Sequence, residues 1–202
     1  MFTGIVTDVG RVRAVRKTGS EHAKGEGRRF EISTAFDIAS IDLGASIAHG
    51  GACMTVVEKG SDWYAFEASA ESLDKTTMGT WQVGQAINLE RAMRLGDELG
   101  GHMVSGHIDD VGRVVSREPV GDSVAFGLSV PPPLVKFLAP KGSITIDGVS
   151  LTINTVAGNI LSVNVIPHSQ TATTIGALQV GDQVNVEIDM LARYVARLLG
   201  QE

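Results

Sequence analysis

In QVNVEID (Gln183–Asp189) apolar and polar residues alternate, with Val184, Val186 and Ile188 on one side and Asn185, Glu187 and Asp189 on the other. LSVNV, SITID and SLTINTV in the same half keep this period of two. It is the signature of a half-buried antiparallel strand, because successive side chains leave opposite faces. Asp147–Gly148, Gly158–Asn159 and Gly181–Asp182 punctuate the runs with residues suited to tight turns. Several short strands in succession predict a small closed barrel, which leaves no edge unpaired. Helical spacing is confined to short pieces. Pro131–Ala139 has prolines suited to a first turn and apolar Leu134, Val135 and Leu138 after them, and Glu71–Gly79 allows a turn or two. In Met190–Glu202, Leu191, Val195, Leu198 and Leu199 form one stripe, and Gly200 marks the end. So short a helix is marginal alone, since even Ala-rich peptides need ~12–15 residues. It therefore packs on its own barrel or, lying beyond the repeat described next, on a partner chain.

The same pattern occurs twice. MFTGIVTDVGRV at the start matches MVSGHIDDVGRV at an offset of 102 residues. SIAHGGACMTV matches SITIDGVSLTI, and TTMGTWQVGQAINLE matches TTIGALQVGDQVNVE, both at an offset of 97. The five-residue difference falls in the polar stretch KTGSEHAKGEGRR. The fold class expected is mainly β: two homologous small closed antiparallel barrels in tandem (residues 1–102 and 103–189) and a short C-terminal helix (190–202). Two copies are too few for a stacked solenoid, so each copy closes its own core.

Composition narrows the function. A net charge of −6 gives no footing for nucleic acid or an anionic membrane. One cysteine, Cys53, excludes an intrachain disulfide and fits a reducing compartment. MFTGIVTDVG lacks the basic and apolar regions of a signal peptide, and no apolar run approaches the ~20 residues of a membrane-spanning helix, so a cytoplasmic protein is expected.

Candidate chemistry clusters at the matched segments. His102 and His107 stand five apart, on opposite faces of a strand and about 140° apart on a helix, so their spacing does not converge on a metal. His107 is the counterpart of apolar Ile5, an ionisable group where the other copy has a core-type residue. Cys53 and Ser150 occupy equivalent positions, followed two residues later by Thr55 and Thr152 on the same strand face. No histidine adjoins Ser150 in sequence to suggest a dyad. Taken alone, these residues point to two related small-molecule pockets.

MFTGIV, GGHMVSGHID, KGSITIDGVSLTI and VIPHS…TTIG…VGDQVNVEID together resemble the riboflavin synthases of the homotrimeric, lumazine-binding type, over essentially the whole chain. The resemblance implies that two molecules of 6,7-dimethyl-8-ribityllumazine exchange a four-carbon unit, giving riboflavin and 5-amino-6-ribitylaminouracil without metal or redox cofactor. In that family the site forms between the N-terminal barrel of one subunit and the C-terminal barrel of its neighbour. By the same resemblance the ring edge meets Gly4, Ile5 and Val6 in the N-terminal barrel, and Gly106, His107 and Ile108 in the C-terminal barrel. Cys53, Met54 and Thr55, with Ser150, Leu151 and Thr152, line the ring. The facing wall and ribityl contacts come from Glu67, Ala68, Ser69, Ala70, Glu71 and Ser72 and from Val165, Ile166, Pro167, His168, Ser169 and Gln170. Lys141 is similar to a ligand-contacting lysine of the family, and Ser46 and Asp189 match positions near the site.

The reaction requires loss of a proton from the C7 methyl of one molecule and addition of a nucleophile at C7 of the other. Holding two rings face to face can supply ~7–11 kcal/mol, and acid–base help ~10²–10⁴-fold. His107, Ser150 and Asp189 are the candidates for proton transfer, with Cys53, Thr152 and Phe2 shaping the site. Gly50 replaces an Asn or Asp common in the family, and His168 a carboxylate of some relatives. The alternative is a non-catalytic lumazine or flavin carrier of the same family, which keeps one pocket and loses the other. A flavin-binding module of an oxidoreductase is disfavoured, because no Gly-rich nicotinamide-binding turn is present.

Overall fold

The structure, a computed structural model, describes residues 1–18 and 26–200. Strands β1 (Asp8–Thr18), β2 (Gly27–Ser33), β3 (Ser46–His49), β4 (Ala52–Lys59), β5 (Trp63–Ala68) and β6 (Ala86–Arg91) close in the order β1-β2-β5-β4-β3-β6, every pair antiparallel. Strands β7 (Asp110–Val120), β8 (Ser123–Ser129), β9 (Ser143–Ile146), β10 (Val149–Ala157), β11 (Ile160–Val165) and β12 (Gln183–Ile188) repeat that order in a second barrel. The register breaks at Val12/Ala14 and Val56/Glu58 in the first barrel and at the equivalent Val114/Ser116 and Ile153/Thr155 in the second. Each break is a β-bulge, which adds the bend that a six-stranded sheet needs to close. The 3-10 turn Pro132–Phe137, helix α1 (Ala70–Lys75), helix α2 (Pro167–Ala172) and helix α3 (Met190–Leu198) fall on the predicted helical stretches or their repeat partners.

The length difference between the halves is divided. β2 precedes β8 by 96 residues and β3 precedes β9 by 97, so the first hairpin is longer by six and the second half regains one before β9. Residues 19–25, where the sequence places the insertion, lie outside the described residues.

Each interior is apolar and is supplied by the alternation. Val184, Val186 and Ile188 join Phe126, Leu128, Ile144, Ile153, Leu161 and Val163 in one core, and Phe30, Ile32, Ile47, Phe66 and Leu89 lead the other. Among the described residues the N-terminal interior holds a polar pair, His49 and Tyr64. His49 is fully buried, its Nε2 lies 2.8 Å from the Tyr64 hydroxyl, and its ring rests 4.2 Å from that of Phe66. The equivalent positions of the other barrel are Ile146 and Leu161.

The side of the alternation opposite the barrel core is not left to solvent at Asn185 and Glu187. Both are buried, as are their counterparts Asn88 and Glu90, because the outer faces of β6 and β12 form the seam between the barrels. Asn88 Nδ2 donates to Asp147 O (2.9 Å), and its Oδ1 accepts from Thr174 N (2.8 Å). Asn185 makes the mirrored pair, donating to Gly50 O (2.8 Å) and accepting from Thr77 N (2.7 Å). Across this pseudo-twofold relation Gly51 and Gly148 meet so closely that a Cβ on Gly148 would lie 2.7 Å from Gly51 N.

Candidate functional site

The first residues of each half do not stay with their own barrel. Phe2 and Val104 pair across the centre, each backbone N–H donating to the other's carbonyl (2.8 and 3.1 Å). Beyond this crossing, Gly4 O accepts from Ser150 N, and Gly106 O accepts from Cys53 N, both at 2.8 Å. Val6 packs against the C-terminal core and Ile108 against the N-terminal core. Gly4–Val6 therefore serves the C-terminal hairpin and Gly106–Ile108 the N-terminal one, the reverse of the assignment expected from chain order. Glycine is required at both contacts: a Cβ on Gly4 would stand 2.6 Å from that of Ser150, and one on Gly106 2.7 Å from that of Cys53.

On the N-terminal side this crossing leaves a cavity of about 340 Å³, lined by Ala52, Cys53, Met54, Glu71, Ser72, Lys75, Thr76, Gly106, His107 and Ile108. Such a volume suits a small heterocycle. Half-buried Cys53 and exposed Thr55 share the outer face of β4, with Ser46 opposite Thr55 on β3, whereas Met54 turns into the barrel core. His107 is exposed at the rim. Ser69 caps α1, its hydroxyl accepting from Ser72 N (3.1 Å), which presents Glu71 and Ser72 to the cavity. Glu67 and Ala70 are exposed, and Ala68 is buried in the core.

The C-terminal side carries equivalent elements with different chemistry. Ser150 is half-buried and Thr152 exposed on β10, and Leu151 packs on the barrel core. Ser150 Oγ lies 2.7 Å from His102 Nδ1, a contact invisible in the sequence because 48 residues separate the two. His102 N donates to Thr3 O (3.1 Å), which fixes the ring's backbone on the same lead-in segment that holds Ser150. Burial pushes the His102 pKa down, and the Asp189 carboxylate acts in the opposite sense. Lowering the pKa favours the neutral ring, whose Nε2–H tautomer is the one that accepts a hydrogen bond from the Ser150 hydroxyl at Nδ1. Asp189 itself caps α3, accepting from Leu191 N at 2.9 Å.

The remaining predicted residues surround this arm. Ile166, Pro167 and His168 are exposed, Ser169 and Gln170 are half-buried, and Val165 lies in the core. Gln170 Nε2 donates to Val165 O (3.0 Å) and Asp122 O (3.1 Å), tying the start of α2 to the barrel. Lys141 is exposed on left-handed backbone at φ 70°. Phe2 is fully buried at the crossing with Val104, Ala48 and Cys53, so it shapes the site from beneath. Among the described residues, no group of three or more His, Cys, Asp or Glu side chains could hold a metal ion.

A further cavity of about 380 Å³ lies on the seam, lined among others by Gly50, Trp81, Asn88, Asp147 and Thr174. Asp147 Oδ1 accepts from Asn185 N (2.8 Å), a bond that Gly50 cannot make in the other half. Burial raises the Asp147 pKa to about 7.

Comparison with known proteins places this geometry in context. The family model "Lumazine binding domain" matches twice, at residues 3–92 and 105–189. The chain is 50% identical to riboflavin synthase of Brucella abortus (strain 2308), covering 98% of both chains. It is 42% identical to riboflavin synthase of Photobacterium phosphoreum, over 98% of this chain and 89% of that one. Among solved structures it is similar to LumP complexed with riboflavin (TM-score 0.83, 27% identity) and to LumP complexed with 6,7-dimethyl-8-(1'-D-ribityl)lumazine (TM-score 0.81, 26% identity). Each match covers 93% of this chain and 99% of the other.

Proposed function

The chain belongs to the lumazine-binding family and, within it, to the riboflavin synthases, and from that premise we propose how its two halves share the reaction. It converts two molecules of 6,7-dimethyl-8-ribityllumazine into riboflavin and 5-amino-6-ribitylaminouracil by transfer of a four-carbon unit. The single observation behind our account is the crossed pairing of Gly4 with Ser150 and of Gly106 with Cys53. It gives two similar arms that are not chemically equal, Cys53 beside a cavity on one and Ser150 beside His102 on the other, as a donor and an acceptor of identical structure require.

The Ser150–His102 pair, 2.7 Å apart, is the proton-transfer centre of the C-terminal arm, with Asp189 supporting the charge that forms on the ring. His107, at the rim of the Cys53 cavity, serves the other substrate. Thr55 and Thr152 contact the rings from the outer strand faces, and backbone groups of Gly4–Val6 and Gly106–Ile108 read the pyrimidine edge. The walls at Glu67–Ser72 and Val165–Gln170, with Lys141 and Ser46, hold the ribityl chains.

The domain division is residues 1–102, 103–189 and the tail 190–202. The tail joins chains into a homotrimer in the cytoplasm, and complete sites form between the N-terminal barrel of one subunit and the C-terminal barrel of the next. In support, α3 and its C-cap Leu199 leave Leu191, Tyr194, Val195, Leu198 and Leu199 exposed, and α3 buries only Ala196. An unpartnered apolar face of this extent is what a subunit contact covers. No helix among the described residues is long and apolar enough to cross a membrane.

Incubating the purified protein with the lumazine and following riboflavin fluorescence tests the function. Catalytic formation of riboflavin is the expected result. Saturable binding of the lumazine without riboflavin would leave a carrier.

A further inference from the structure

Glu90 and Glu187 hold their place by an unusual set of contacts. Glu90 Oε1 accepts from Thr3 N (2.7 Å) and Thr3 Oγ1 (2.8 Å), and its Oε2 accepts from Gly4 N (3.0 Å). Glu187 repeats the set: Oε1 accepts from Ser105 N (2.8 Å) and Ser105 Oγ (2.6 Å), and Oε2 from Gly106 N (3.0 Å). Each carboxylate therefore meets three donors and no acceptor among these contacts. Only an ionised carboxylate satisfies that set, because an amide in its place turns an N–H toward another N–H. Burial raises the pKa of both groups, and the three hydrogen bonds act against it.

What each glutamate holds is a lead-in segment that crosses to the other half. Glu90 fixes Thr3 and Gly4, whose carbonyls accept from His102 N (3.1 Å) and Ser150 N (2.8 Å). Thr3 Oγ1 also accepts from Ile5 N (3.2 Å), which orders the next residue of the segment. Glu187 fixes Gly106, whose carbonyl accepts from Cys53 N and whose neighbour His107 lines the Cys53 cavity. Neither carboxylate lines the Cys53 cavity, so its influence there passes through backbone alone.

We infer that Glu90 and Glu187 are positioning residues with crossed allegiance: Glu187, on the C-terminal barrel, sets the ligand pocket of the N-terminal hairpin, and Glu90, on the N-terminal barrel, sets the Ser150–His102 pair of the C-terminal hairpin. The inference deepens the proposed site and rests on that reading.

The experiment uses Cys53, the only cysteine of the chain, as a local reporter. Alkylation by iodoacetamide is followed with increasing riboflavin in the full-length wild type, Glu187→Gln and Glu90→Gln, each checked for native near-ultraviolet circular dichroism. Riboflavin is expected to protect Cys53 in the wild type. In Glu187→Gln the riboflavin needed for half-protection rises about 10- to 100-fold, the loss expected for a charge-assisted hydrogen bond. In Glu90→Gln protection of Cys53 stays within twofold of wild type, while kcat falls and the acid limb of its pH profile shifts, because His102 has lost its anchor. Ser105→Ala keeps the carboxylate and removes one of three bonds, so a smaller rise of about 3- to 10-fold is expected should Glu187→Gln not fold. Equal loss of protection in the two glutamate variants, or unchanged protection in both Glu187→Gln and Ser105→Ala, overturns the crossed assignment. Failure of riboflavin to protect Cys53 in the wild type overturns the pocket itself and the clamp with it.

Discussion

Among the described residues two non-glycines have left-handed backbone, Lys141 at φ 70° and Asp147 at φ 46°, and both stand where the other half has glycine, Gly44 and Gly50. An L-residue in that region costs ~1–2 kcal/mol. The second half thus keeps strain that the first half avoids. Asp147 has a local reason, the bond from Asn185 N. For Lys141 the described side-chain contacts give none, and the ligand role proposed for it supplies one. Replacing Lys141 by Gly removes the strain but restores freedom to the unfolded chain, leaving a gain of roughly 0.5–1 kcal/mol. The variant is expected to show that gain in urea denaturation while binding riboflavin more weakly by fluorescence titration. His102 gives the second prediction at this scale. Because burial lowers its pKa, the ring loses its acceptor only below the usual histidine range near 6.5, and activity falls there as pH drops. His102→Gln should lower kcat by ~10²–10⁴-fold and flatten that acid limb in a pH–rate profile. His102 was not legible as a partner of Ser150: the sequence offers only a histidine at the seam of two repeats, and the contact exists because Thr3 and Gly4 cross between halves.

Strands β6 and β12 show what periodicity carries and what it hides. Their apolar residues fill the barrel interiors as the alternation requires, and recurrence at fixed offsets identified the two barrels. A period of two distinguishes two faces but does not say what covers each, so the burial of the polar face does not follow from it. On the strands themselves Asn88/Asn185 and Glu90/Glu187 recur identically, whereas half-buried Ala86 is replaced by exposed Gln183. Tertiary packing of one barrel on the other turns that polar face into an interior one, and reciprocal hydrogen bonds make its burial tolerable. Asn185→Leu leaves Thr77 N and Gly50 O without partners at the buried seam, at a cost of about 2–4 kcal/mol. Asn88→Leu should cost a similar amount, since it strands Thr174 N and Asp147 O. The double variant should lose less than the sum, because both residues hold one interface. Urea midpoints at constant slope measure all three. A fully additive double variant would mean that the two asparagines act on separate barrels.

At the scale of the whole molecule the halves differ most in how they answer to acid. His49, fully buried against Phe66 with Nδ1 unpartnered, has its pKa lowered to about 3 by burial, from an ordinary 6.5. The unfolded chain takes up this proton below pH 6.5 and the folded barrel does not, so stability is lost as pH falls from 6.5 toward 3. Between pH 6.5 and 5 the loss is roughly 1–2 kcal/mol, because the slope is half of 1.36 kcal/mol per unit at pH 6.5 and approaches it below. Asp147 acts with the opposite sign. Its folded pKa is about 7 against an ordinary 3.8, so the folded state holds the proton more tightly and gains stability as pH falls through that window. Glu90 and Glu187, also raised by burial, add to the same side. The acid sensitivity of the N-terminal interior is therefore masked by carboxyls at the seam and on the second half. Exchanging the polar pair for its counterparts, His49→Ile with Tyr64→Leu, gives the N-terminal barrel the residue types of Ile146 and Leu161. Substituting both members removes the tyrosine that would otherwise be stranded without its partner. The destabilising term disappears and the carboxyl terms remain. The variant should thus gain roughly 1–2 kcal/mol relative to wild type on going from pH 6.5 to 5, read from urea midpoints at the two values. The same difference at both pH values would show that His49 does not titrate as a buried neutral ring. Its opposition to Asp147 could then no longer account for the pH response of the folded protein.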